Sequence, residues 1–124
     1  PLVALAPVQT GSRIKPSPMR PVVVEADYPS WEDVPDEVAM RIGDAYFDLF
    51  ETAEGFKLGG WPYLVQSEID WPAGEGHPSA PEYVFQIDSS FEADWMWGDA
   101  GVGYFGRGTA PGEAERWALA WQCH

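Results

Sequence analysis

The most regular alternation of apolar and polar positions lies in the second half of the chain. In "EYVFQID", residues 82–88, Tyr83, Phe85 and Ile87 fall on one side of a period-two ladder and Val84, Gln86 and Asp88 on the other, which predicts a strand. "GVGYFG" brings Val102 and Tyr104 to one side of a second strand. "RWALAWQCH" makes a third, with Trp117, Leu119, Trp121 and Cys123 together and Ala118, Ala120, Gln122 and His124 opposite. One large apolar side and one small polar side predict a sheet with a thick core against the large residues and a thinner or wetter cover over the small ones.

Upstream the period changes. "YPSWEDVPDEVAMRIGDAYFDLFETAEG" spaces Val38, Ile42, Ala45 and Leu49 by four and three, the stripe of one principal helix that Asp33 and Pro35 open and Gly55 stops. Gly43 inside it weakens the helix by about 1 kcal/mol relative to alanine, tolerable where a neighbour packs closely. "RPVVVEAD", residues 20–27, is a β-branched run that predicts a first central strand. "FKLGGWPYLVQ", residues 56–66, suits a rigid loop or short edge strand, and "WPAGEGHPSAP" is a loop of eleven residues with three prolines, a lid or a variable insertion. Residues 1–20 read as an extended arm or linker, and 21–124 as a single α+β domain: a mainly antiparallel mixed sheet with one principal helix packed on one face.

A chain of 124 residues with 45% hydrophobic and 15% aromatic content can bury one core despite 12 prolines and 13 glycines. Each of its seven tryptophans, if buried, removes on the order of 200 Å² from water, worth ~5 kcal/mol before entropy is subtracted. The net charge of −13 is uneven: residues 1–24 carry Arg13, Lys15 and Arg20 and no acid, so all 20 carboxylates fall on the rest, against Arg41, Lys57, Arg107 and Arg116. That body repels phosphate backbones and anionic membranes and steers cationic partners toward itself, although solubility alone also accounts for such a balance. The single cysteine, Cys123, forms no internal disulfide and fits a reducing, cytoplasmic compartment. No apolar run approaches the ~20 residues needed to span a membrane. The first residue, Pro1, is not a methionine, so the sequence reads as a processed product or the later part of something longer.

Four motifs, "KLGGWPYLVQ", "FQIDSS", "MWGDAGVGYF" and the closing "WALAWQCH", occur in this order between about Arg20 and His124. Together they resemble the YwqG-like family, an uncharacterised domain found widely in bacteria. The resemblance implies an α+β domain, largely sheet, and makes this chain the C-terminal part of a longer family architecture. It implies no activity.

Asp88 and Asp99 match the acidic positions of two of those motifs, and Gln66, Gln86, Gln122 and His124 are polar groups among apolar and aromatic neighbours. A small polar ligand or a cation could use such groups as donors and acceptors. The competing reading is structural: "IDSS" at a strand end opens a turn, and "GDAG" between aromatic strands is a hairpin tip. His77, His124 and Cys123 do not make a zinc site, since His124 and Cys123 point to opposite faces of a strand. Calcium would need a compact oxygen-rich loop that is missing, and Ser89 and Ser90 lie in no nucleophile elbow. A pair drawn from Asp88, Asp94 and Asp99 could act as acid and base in hydrolysis, but nothing in the spacing selects that chemistry. "GVGYFG" lacks the following helix that would make it a phosphate cradle. Trp31, Trp61, Trp71 and Trp95 lie in or beside loops, where a tryptophan plugs the core or offers a stacking platform; Trp71, beside the proline-rich loop, is the least constrained.

The expected function is therefore non-catalytic binding: an acidic, tryptophan-bearing interaction module that engages a protein partner, such as a basic toxin, without cofactor or metal, with Gln66, Trp71, Asp88, Asp99, Gln122 and His124 as candidate contact residues. A hydrolase using Asp88 and Asp99, and a carbohydrate-binding module using Trp71 or Trp61, are the alternatives.

Overall fold

In the computed structural model, residues 17–124 are described; most of the expected arm, residues 1–16, lies outside them. Four strands, β1 (Lys57–Leu58), β2 (Pro81–Asp88), β3 (Val102–Gly108) and β4 (Trp117–Gln122), lie side by side in chain order, each pair antiparallel. One helical region precedes them, formed by α1 (Asp36–Ile42), a 3-10 turn at Gly43–Ala45 and α2 (Tyr46–Leu49). The expected α+β class, with an antiparallel sheet and one principal helix, is what the chain adopts.

Within the helical region the phase differs from the sequence pattern. Gly43 sits at φ 57° and ψ −148°, a conformation costly for residues with a Cβ, and the axis is reset there. Val38 and Ile42 stay on the half-buried side of α1, but beyond the break Ala45 and Leu49 face solvent while Tyr46 and Phe50 turn inward. Tyr46 packs edge-on against Trp31, with ring centroids 5.4 Å apart, and its hydroxyl donates to the Pro29 carbonyl. The helix ends at Leu49, where Phe50 turns extended, well before Gly55.

The run "PVVVEAD" forms no strand; Val22, Val23 and Val24 are exposed. β-Propensity needs a partner ladder, and the nearest sheet edge is the two-residue β1, which Gly59 and Gly60, both at positive φ, end at once. One residue of this segment is firmly held. Asp27 accepts from the backbone amides of Ala53 (2.7 Å) and Trp61 (2.8 Å) and pairs with Lys57 at 3.1 Å, the two side chains only 12% and 8% exposed. Burial pulls the Asp27 carboxyl upward, but those two amides and the Lys57 ammonium outweigh it and hold the group below its ordinary value.

The alternation expected in β3 and β4 is present: Val102 and Tyr104 share one side of β3 as expected, and in β4 the sides are the reverse of the expectation. Val102, Tyr104, Ala118, Ala120 and Gln122 form the buried side, while Trp117, Leu119 and Trp121 face outward. The small side is covered by the segment 61–71. Gln122 is the hub of that contact: its Oε1 accepts from the amides of Val65 (3.0 Å) and Gln66 (3.1 Å) and from the Tyr104 hydroxyl (3.1 Å), and its Nε2 donates to the carbonyls of Ser67 (2.7 Å) and Glu68 (3.2 Å). Gln86 does the same two strands away, on β2, accepting from the Tyr63 amide at 2.8 Å and donating to the Gly55 carbonyl at 3.0 Å. A loop brings many unpaired backbone groups to a buried surface, and two amide side chains with both donors and acceptors satisfy them. Glycine at position 106 lets the cover approach closely: a Cβ there would lie 2.8 Å from the Trp71 ring.

A bulge between Tyr83 and Phe85 shifts the register of β2, so Tyr83 joins the inner side and donates to Gln86 Oε1 (3.2 Å), contrary to the strict alternation expected. Phe85 and Ile87 remain on the outer side.

Candidate functional site

On the outer side of the sheet the aromatic residues form a continuous layer. Phe85 and Phe105 stack with centroids 4.4 Å apart and planes 8° from parallel, and Trp117 leans on Phe85 at 6.0 Å. Trp97 packs over β3 where Gly103 leaves room; a Cβ there would be 2.3 Å from the indole. Trp97 in turn meets Trp95 edge-on at 5.2 Å. The rest of the layer is open: Trp117 is 46%, Leu119 44% and Trp121 53% exposed. The layer runs into a groove of about 1350 Å³ between the extended segment 17–24 and the edge of the sheet, lined by Val22, Val24, Phe56, Leu58, Ile87 and Trp95 among others, with Glu54 and Glu92 also in its wall. That volume exceeds the ~300–1,000 Å³ of small-molecule pockets.

A second concavity, of about 360 Å³, is lined among others by Asp33, Trp61, Leu64, Glu68, Trp71 and Tyr83. Burial, together with the charges of Glu68 and Glu32, pushes the Asp33 carboxyl upward. Its Oδ2 is closed off from solvent and has no hydrogen-bond partner among the described residues. Burial, with Asp27 and Tyr104 nearby, also raises Tyr83, so its hydroxyl stays protonated.

The six residues singled out from the sequence fall into four situations. Gln122 is a buried structural hub, and Gln66 is tied to it, its amide on Gln122 Oε1 and its Nε2 donating to the Cys123 carbonyl at 2.6 Å. Asp88 ends β2 in the cross-strand row of Val102 and Gln122, and its carbonyl accepts from the Trp95 indole at 2.8 Å. Asp99 is exposed on the turn between Trp97 and β3, where its carbonyl accepts from the His124 amide at 3.2 Å, and His124 is itself exposed. These five gather round the end of β4 through strand pairing and both backbone and side-chain hydrogen bonds, and none lines the 360 Å³ concavity. Trp71 alone does. Asp33 and Glu68 were missed because the sequence places them 35 residues apart, Asp33 at a helix start and Glu68 between the segments 56–66 and 71–81 that carry a pattern; no local pattern joins them.

Fold and surfaces together define a small antiparallel α+β domain with an open aromatic sheet face. Residues 6–107 match the family described as Domain of unknown function (DUF1963), and the chain belongs to that family. The resemblance drawn from the sequence motifs is met at that level, a domain of unknown function. The match ends inside β3, so β4 and its closing motif lie beyond it. No curated protein and no solved structure matches the chain. Among the described residues no helix is long and apolar enough to cross a membrane.

Proposed function

We propose that the domain is an acidic interaction module that takes a basic protein partner on the outer face of its sheet. The observation that carries this reading is the inversion of β4: Trp117, Leu119 and Trp121 stand outward beside the Phe85–Phe105 stack, and tryptophan-rich patches of this kind are where binding energy concentrates. The net charge of −13 supplies long-range attraction for a cationic partner. Asp88 and Asp99 stand on different elements, with Asp99 exposed on a turn and neither in the groove or the concavity, an arrangement that gives an acid and a base no shared cleft. A cytoplasmic setting belongs to the same proposal and rests on the free thiol of Cys123.

The test is calorimetric titration of the domain with the product of an adjacent gene or with a co-purifying protein, at low and high salt. Affinity should fall as salt rises, and Leu119→Lys, an exposed change that leaves the inner core intact, should abolish it. Affinity indifferent to salt, or unchanged by Leu119→Lys, refutes the reading.

A further inference from the structure

We propose that the concavity beneath segment 61–71 is a separate binding site for an alkylguanidinium group. Three independent features meet there: a cavity of about 360 Å³, aromatic side chains from Trp61, Trp71 and Tyr83, and two carboxylates, Asp33 and Glu68. The volume sits at the small end of ligand pockets, room for one side chain or a small metabolite.

The carboxylates select the charge of the occupant. Asp33 Oδ2 is closed off from solvent with no donor among the described residues, and the carboxyl stands near the like charges of Glu68 and Glu32. A cation in the concavity relieves that like-charge repulsion, whereas a neutral hydroxyl leaves it in place. Among the described residues Lys57 pairs with Asp27, Arg107 with Glu115 and Arg116 with Glu113. An inorganic ion is disfavoured by the donor set, since among the described residues no three His, Cys, Asp or Glu side chains gather at one point. An organic cation needs fewer oxygens, because aromatic rings supply part of its stabilisation. A guanidinium is more weakly hydrated than an ammonium, stacks on indole and phenol rings and donates to carboxylates in a planar fork, so it enters such a partly enclosed site with the smaller desolvation loss.

The site lies on the side of the sheet opposite the aromatic layer, so its occupancy is measured without any protein partner and stands or falls separately from the proposal above. The experiment is titration of the intact domain with Nα-acetyl-arginine amide, followed by tryptophan fluorescence and by amide chemical shifts of residues 61–71. The neutral isostere Nα-acetyl-citrulline amide, tetramethylammonium and a panel of oligosaccharides serve as comparators. Saturable binding in the millimolar range is expected for the arginine derivative, weakened about tenfold by Glu68→Gln, whose side chain is exposed and whose loss leaves the fold intact. Asp33→Asn should act in the same direction. Equal binding of the citrulline derivative, preference for tetramethylammonium or a sugar, no saturable shift, or indifference to Glu68→Gln each overturns the proposal. Comparing agmatine with a Gly-Arg-Gly peptide then distinguishes its sources: tighter binding of agmatine assigns a free metabolite, and tighter binding of the peptide an arginine of another protein.

Discussion

Replacing Gln122 with methionine should destabilise the domain more than removing the whole indole of Trp121, although the two residues are adjacent and the second is far larger. Gln122→Met keeps the side chain's length and apolar stem but deletes every polar contact at its end. The amides of Val65 and Gln66 lose their acceptor and the Ser67 carbonyl its donor, while the Tyr104 hydroxyl keeps the Tyr63 carbonyl at 2.8 Å. Each backbone group left unpaired costs up to roughly 1–3 kcal/mol, less where it is only partly buried as here, and since the effects overlap the sum comes to about 3–5 kcal/mol. Trp121 is 53% exposed, so truncation to alanine removes less than half of its ~200 Å² from contact, about 2.5 kcal/mol at 25 cal/mol per Å². Urea unfolding followed by far-UV circular dichroism measures both, with unchanged m-values confirming that compactness is preserved. If Trp121→Ala proves the costlier change, the large side of β4 is the core after all and the assignment of faces is wrong.

Asp27→Asn leaves the Lys57 ammonium buried without its counter-charge and should cost about 3–5 kcal/mol near neutral pH. Because the folded carboxyl titrates below its ordinary value, the part of that contribution tied to ionisation is present above about pH 3.9 and is lost as pH falls through the lower folded value, so the gap between wild type and variant should narrow in acid. Asp33→Asn should do the opposite. The raised folded value means that the native state holds its proton more tightly than the unfolded chain, so ionisation weakens the fold as pH rises through that window. The variant should then be more stable by ~0.5 kcal/mol at neutral pH and equal to wild type in acid, a gain that accompanies loss of guanidinium binding. Gly103→Ala places a methyl group against the Trp97 ring, and thermal unfolding should report a loss of about 1–3 kcal/mol, with Trp97 fluorescence shifted by its displacement from the sheet.

Local chemistry in the sequence was enough to locate β2, β3 and β4, to place the helical region, to read residues 56–66 as a rigid loop or short edge strand and to put Asp99 in a turn. Each rests on neighbours in the chain: alternation with period two, apolar spacing of three and four, and glycine beside aspartate. Which side of the alternation faces inward is a different matter. "WALAWQ" states that one side is large and the other small, and both arrangements satisfy it; the choice was made by segment 61–71, whose backbone needed the amide groups of Gln86 and Gln122 and could approach only over glycine and alanine. In the same way Gly43 moved the helix's inner stripe from Ala45 and Leu49 to Tyr46 and Phe50. The lack of a partner edge left Val22 to Val24 outside the sheet. The pairing of Asp27 with Lys57 and the meeting of Asp33 with Glu68 join residues 30 and 35 positions apart. A sequence determines what each segment can bury; only the folded chain decides which buried polar groups find partners, and that requirement fixed the orientation of this sheet.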